Sequence, residues 1–256
     1  MIKRAVYCAT VCLLLAAAGL QAGTIVLGNP PATGIGNCDP FGCPGFLGLE
    51  TYQQVFFNGA FPGAITIDGV DFFQSQVTGN GGAPAGGTYT LSFSYTSATL
   101  GALNLTNATD NNSSANQTFF SGTLPTLIPD GAAGDVLVFT GTPFAYDPAD
   151  GNLLLTVSVS GATDPEHFLF LDEAQCGPKT ICPTGSTIVS SNAYFSTIKG
   201  VPVSGGNDIG GLVTGFNYTS PTGVSTPEPG SLLLVVAGIG LVGYQGRRRM
   251  LSRARR

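Results

Sequence analysis

The chain has 256 residues, 43% of them apolar, and a formal net charge of −5. That is enough apolar material for one packed domain and too much for a disordered chain. Between positions 23 and 226 only Lys179 and Lys199 stand against fourteen carboxylates, a net of −12 without one arginine, which excludes a nucleic-acid partner because phosphate binding needs a basic face.

Residues 1–22 read as a secretory signal peptide. Lys3 and Arg4 precede an apolar run from Ala5 to Leu20, and Leu20-Gln21-Ala22 presents a small residue to the peptidase ahead of Gly23. The charges hold the start on the cytoplasmic side while the run enters the translocon as a helix, so cleavage is expected between Ala22 and Gly23. The run is shorter than the roughly 20 residues a membrane span prefers, which weighs against an uncleaved anchor. Cys8 and Cys12 leave with this segment.

Positions 23–224 are expected to form an extracellular domain. Gly numbers 37, about twice average usage, so turns are plentiful. Cys38, Cys43, Cys176 and Cys182 survive maturation into an oxidising compartment that favours disulfides. Four cysteines allow three connectivities, and the local one, Cys38–Cys43 with Cys176–Cys182, is expected. It closes two small loops and rigidifies Pro/Gly-rich stretches more than it stabilises the fold. A four-thiolate zinc site is the rival reading, but it wants closer spacing and reducing surroundings.

Strands are expected at 24–27, 51–57, 64–68, 70–76, 88–96, 117–120, 135–140, 153–160, 167–171, 193–198 and 212–218, each bounded by turn residues. Tyr89, Leu91, Phe93 and Tyr95 alternate with Ser and Thr, as do Leu153, Leu155, Val157 and Val159 with Thr156, Ser158 and Ser160. Period-two alternation predicts strands with one core face and one wet face. No amphipathic helix is apparent. The fold class is therefore all-β: an antiparallel two-sheet β-sandwich, jelly-roll-like, of unreadable strand order.

Three doublets, Phe56-Phe57, Phe72-Phe73 and Phe119-Phe120, place one ring of each pair outside the sandwich core. Loops are expected to cover the outer rings; the competing reading is an exposed aromatic patch for a ligand. Asp147, Asp150 and Asn152 could offer hard oxygens to calcium, but the segment lacks a full ligand series and reads as a turn feeding a strand. The sequons at Asn104, Asn107, Asn111, Asn112, Asn116 and Asn217 are read as polar loop positions.

Catalytic chemistry is sparse. The one histidine, His167, follows Asp164-Pro165-Glu166 and is read as a turn-edge residue. No nucleophile elbow, phosphate-binding glycine loop or His-Glu-x-x-His motif is present, and the domain has no arginine to clamp a phosphoryl group. A glycosidase needs only two carboxylates, but nothing singles out a pair. No catalytic residue, cofactor or metal is expected.

The tail, 225–256, is the most distinctive segment. Ser225-Thr226-Pro227-Glu228-Pro229-Gly230 precedes an apolar stretch from Ser231 to Tyr244, then Arg247, Arg248 and Arg249 and further arginines. Two prolines lock an extended segment that an enzyme could grip as a strand. The apolar stretch is expected to form a C-terminal transmembrane helix, its arginines snorkelling to the cytoplasmic face.

This order of Pro-Glu-Pro, hydrophobic helix and arginines resembles the PEP-CTERM sorting signal of exported bacterial proteins. The resemblance implies an exosortase-type membrane processing enzyme as partner, with Pro227, Glu228 and Pro229 as recognition residues and the inner membrane as anchor before processing. Thr226 stands where the signal often has Val. The stretch 144–155, with its Asp-Pro and Gly-Asn-Leu-Leu-Leu, is similar to one in extracellular β domains of some such proteins. The resemblance further implies an exported surface or matrix protein, structural or adhesive in extracellular polysaccharide. A calcium-assisted carbohydrate-binding module is the alternative, and a carboxylate-dependent secreted hydrolase the third reading.

Overall fold

Residues 21–28, 36–75, 82–129, 135–175, 190–198 and 201–220 are described in the computed structural model. The expected signal segment before Gln21, Cys176 and Cys182, and the sorting tail with its membrane helix lie outside the described residues. Among the described residues no helix is long and apolar enough to cross a membrane.

The first strands are β1 (Gln21–Leu27), β2 (Gly36–Asn37), β3 (Leu49–Phe56), β4 (Ile65–Phe73), β5 (Gly86–Thr96), β6 (Gln117–Gly122) and β7 (Ile128–Pro129). They are followed by β8 (Asp135–Tyr146), β9 (Asn152–Thr163), β10 (Leu171–Gln175), β11 (Ser190–Ile198), β12 (Val201–Leu212) and β13 (Thr214–Ser220). One short helix, α1 (Pro44–Leu47), starts on a proline and stops at Gly48, whose φ of 58° is the left-handed conformation glycine adopts freely. Five strands form one sheet in the order β1-β13-β4-β8-β7, and eight form the other in the order β2-β10-β12-β11-β3-β9-β5-β6. The registered pairings between them are antiparallel. Five and eight strands exceed the eight of a jelly roll. The architecture is a two-sheet antiparallel sandwich.

Alternation builds the core as expected. Tyr89, Leu91 and Phe93 of β5 lie opposite Val159, Val157 and Leu155 of β9, all inside the main apolar cluster. Aromatic rings join the two sheets. Phe216 of β13 meets Phe56 of β3 edge-on with centroids 4.9 Å apart, and Phe93 of β5 lies 5.3 Å from Phe144 of β8.

The wet outer face expected of β5 and β9 is found only at one end, where Thr88, Ser158 and Ser160 are exposed. Ser94 and Gln53 are each 1% exposed, and Thr96 and Thr156 are also buried. The segment 97–116 folds back over the eight-stranded sheet and covers them. Leu103 packs with Val55, Leu154 and Ala193 in a second apolar cluster, with Leu100 and Leu105 against it. Beside that cluster the covering is polar. Gln53 Nε2 donates to the Ala108 carbonyl (3.0 Å) and to Thr156 Oγ1 (3.1 Å), while Asn111 Nδ2 donates to Gln53 Oε1 (2.8 Å). Ser94 Oγ donates to Asn112 Oδ1 at 2.9 Å. Serine and threonine faces are as compatible with a hydrogen-bonded lid as with water, so alternation cannot distinguish the two.

Other expectations need correction at their edges. The runs 64–68 and 70–76 join into one β4, with an irregular register around Asp68 against both neighbours. The run 212–218 divides at Val213, where the chain passes from β12 in one sheet to β13 in the other. His167–Leu171 is not a strand: Phe168 makes an isolated parallel bridge to Ala83, and β10 begins only at Leu171. The glycine-rich β12 has too little hydrophobic alternation to be read as a strand beforehand. Of the Phe doublets, Phe73 is buried in a small outer cluster and Phe120 packs partly buried against the core, whereas Phe57 is 45% exposed. Loop and neighbour coverage therefore accounts for two outer rings of three.

Phe216→Ala removes a ring that bridges the sheets and should cost about 3–5 kcal/mol, against within about 0.5 kcal/mol for Phe57→Ala, in urea unfolding of the same preparation. Asn111→Ala strands Gln53 Oε1 in the buried polar layer. It should cost about 1–3 kcal/mol and selectively speed amide exchange in 97–116.

Candidate functional site

Cys38-Asp39-Pro40-Phe41-Gly42-Cys43 forms a tight loop between β2 and α1. The Asp39 amide donates to Asn37 Oδ1 (2.9 Å), and the Gly42 and Cys43 amides both donate to the Cys38 carbonyl (2.6 and 3.2 Å). This turn brings the sulfurs together, and Cys38 and Cys43 are joined as a disulfide with Cα atoms 5.3 Å apart, the local pairing expected. Tertiary contacts hold the loop in place. Phe41 is fully buried, with ring centroids 4.8 Å from Phe72, 5.3 Å from Phe139 and 5.9 Å from Tyr89, so it wedges between β4 and β8 of one sheet and β5 of the other. Gly42 passes so close to the Leu169 carbonyl that any side chain would clash.

The wedge carries a carboxyl group inward. Asp39 is 8% exposed. Asp164, on the segment after β9, accepts a hydrogen bond from the Gly45 amide at 2.8 Å, and Glu173 on β10 accepts one from Asn192 Nδ2 at 3.4 Å. Burial, then the charges of Asp164 and Glu173, push the Asp39 carboxyl up to about 7. The described residues contain no lysine or arginine, so none of them offers a guanidinium or ammonium against these effects. Protonation is the remaining way to make the buried group neutral.

Two tyrosines border the cluster. Tyr52 OH donates to Gln54 Oε1 at 2.6 Å, and Gln54 in turn clamps Leu212 through its amide N–H (3.0 Å) and carbonyl (2.9 Å). Burial, then Glu173, raises the Tyr52 phenol well above its ordinary range, and burial with Asp164 does the same to Tyr89. Both stay neutral donors at any physiological pH.

The two sulfurs and an Asp39 oxygen lie within 4.8 Å of one another, close enough on distance alone for a metal. The chemistry does not fit. Sulfurs bonded to each other offer no thiolates, and one neutral carboxyl is a poor ligand.

The remaining residues singled out from sequence are scattered. His167 is exposed in a bend, its carbonyl accepting from the Ala83 amide at 3.0 Å. Asp147 caps a short 3₁₀ turn by accepting from the Ala149 amide (3.0 Å). Asn152 donates to the Ala98 carbonyl and accepts from the Asn58 amide (both 2.9 Å), so two of the three candidate calcium oxygens serve the turn. Ala22 and Gly23, the expected cleavage pair, lie within β1, with Gly23 against the Tyr218 ring. Thr24 Oγ1 donates to Asn217 Oδ1 at 2.6 Å, so the start of β1 sits beside the end of β13. A shallow open groove is bordered by residues 84–87 and 123–127, none of them ionisable. The Asp39, Asp164 and Glu173 cluster was missed from sequence. Its one local signal is a carboxylate next to a cysteine in a small loop.

Residues 225–249 match the family model of the PEP-CTERM protein-sorting motif, a span that includes Pro227, Glu228, Pro229 and the three arginines Arg247, Arg248 and Arg249. Such a motif implies an exported protein, anchored in the membrane by its C-terminus before an exosortase processes it. No curated protein and no solved structure matches the chain.

Asp39 makes stability depend on pH. The unfolded carboxyl ionises near 3.8 and the folded one near 7, so between these values the folded state holds a proton that the unfolded state has released. Raising the pH from 4 to 7 should therefore destabilise the fold, by up to roughly 4 kcal/mol from this group, with no further change from it above about 7. Urea unfolding across that range should show the slope, and Asp39→Asn should abolish it.

Proposed function

We propose that this chain is an exported surface or matrix protein whose acidic sandwich is held outside the cytoplasmic membrane, with a structural or adhesive role in extracellular polysaccharide. The observation that carries the reading is the sorting-motif match at 225–249, which begins five residues after β13 ends at Ser220. The body supports it in one respect. β1 and β13 are neighbours at the edge of one sheet, and the start of β1 lies against the end of β13. The peptide bond expected to be cut after export and the route to the sorting tail thus leave the body at the same end.

In this reading the body does not turn over polysaccharide. His167 is exposed in a bend, and the residues that line the groove beside 84–87 include no ionisable side chain. The buried carboxyl Asp39 sits in a disulfide loop and does not line that groove.

Expressed in a host that holds an exosortase, the wild-type chain should lose mass at its C-terminus and leave the membrane fraction, whereas Glu228→Ala should stay full-length and membrane-bound. Identical mass and location for both would defeat the sorting interpretation. Polysaccharide from that host should co-sediment with the processed protein without being depolymerised; release of reducing ends, lost on replacing one carboxylate, would favour a hydrolase instead.

A further inference from the structure

We propose that the Cys38–Cys43 disulfide is a thiol–disulfide exchange site, in which an incoming thiolate attacks Cys38 and Asp39 manages the proton of Cys43. This goes beyond the sorting reading and does not rest on it.

The two sulfurs are not equivalent. Cys38 is partly exposed, while Cys43 is 1% exposed beneath the turn. Attack on a disulfide requires approach to one sulfur along the line of the bond, so only Cys38 can receive a reagent from solvent. Cys43 is the leaving sulfur by default. Asp39 Oδ1 lies 3.5 Å from Cys43 Sγ, on the buried side of the loop. A purely structural disulfide has no need of a carboxyl there, and burying one without a cation to pair it is unfavourable.

The chemistry balances with a thiol of the glutathione or dithiol class as co-reactant. Its thiolate forms a new S–S bond to Cys38 Sγ as the Cys38–Cys43 bond breaks, and the bonding pair departs on Cys43. Asp39 O–H gives its proton to that thiolate and becomes a carboxylate. A second thiol then displaces Cys38, so two electrons pass from the reductant to the protein, leaving two cysteine thiols and one oxidised disulfide. In reverse, the Asp39 carboxylate takes the Cys43 proton, and the resulting thiolate attacks the mixed disulfide on Cys38.

A carboxyl that titrates near 7 can serve in both directions at neutral pH, whereas one near 4 would be ionised and useless as an acid. Asp39 is tuned by burial, by Asp164 from the segment after β9 and by Glu173 from β10, with the neutral Tyr52 hydroxyl of β3 alongside. Among the described residues both charges that act on it are acids. Both act in the same direction.

The test is single-turnover reduction of the full-length chain in detergent by excess glutathione between pH 5.5 and 8.5. Acid quenching, alkylation and peptide mass mapping would distinguish Cys38 and Cys43 from Cys8, Cys12, Cys176 and Cys182. The glutathione adduct should appear on Cys38 with Cys43 free. At pH 6 the wild type should react at least about tenfold faster than Asp39→Asn after correction for reagent ionisation, and the ratio should fall to one or below by pH 8 as Asp39 loses its proton. Asp164→Asn, which removes a like charge, should move that fall to lower pH, which a merely structural role for Asp39 would not do. An adduct on Cys43, a rate equal to that of global unfolding, or superimposable wild-type and Asp39→Asn profiles would overturn the proposal. If Asp39→Asn does not fold, a wild-type profile that follows reagent ionisation alone, with no break near pH 7, overturns it equally.

Discussion

Aromatic rings reaching from one sheet to the other are what the rest of the molecule depends on. Phe216 touches Phe56 and Phe61, Phe93 touches Phe119 and Phe144, and Phe41 closes the set against Phe72, Phe139 and Tyr89. Offset and edge-on pairs of this kind add to the burial each ring already contributes. Because Phe41 belongs to the disulfide loop, the same packing that joins the sheets fixes Cys38, Asp39 and Cys43. The candidate site is thus a by-product of how the sandwich is closed.

A second consequence concerns charge. The described residues of the body include carboxylates but no lysine or arginine. The half-buried Asp71 has an amide partner, its Oδ2 accepting from Asn217 Nδ2 at 2.9 Å. Asp39 instead faces two further acids and one sulfur. Burial first, and then the charges of Asp164 and Glu173, push this carboxyl up to about 7.

The outer layer over the eight-stranded sheet follows a different rule. Its greasy half is built from Leu103, Val55, Leu154 and Ala193, and its polar half from Gln53, Thr156, Asn111 and Ser94. Each buried amide or hydroxyl in that half finds a partner, as buried polar groups must. Several asparagines that stand in glycosylation-like triplets are spent on this lid. Asn111 is buried, and Asn104, Asn107 and Asn112 hydrogen-bond within it.

What the amino-acid order determined by itself was whatever is encoded locally. Strict alternation at Tyr89-Leu91-Phe93 and Leu153-Leu155-Val157 specified strands with a core face, the five-residue separation of Cys38 and Cys43 specified a loop that can close on itself, and the Pro-Glu-Pro segment with its apolar run and arginines specified an address. Tertiary structure alone decided the rest. Alternation says which side chains share a face but not what covers that face, so the lid of 97–116 could not be foreseen. The glycine-rich β12 has no pattern to show, and the break at Val213 exists only because two sheets need a crossing there. Asp39 looked like any turn aspartate until Phe41 was driven into the core. Its burial and its acidic neighbours Asp164 and Glu173 come from packing between segments more than a hundred residues apart, which no local pattern records.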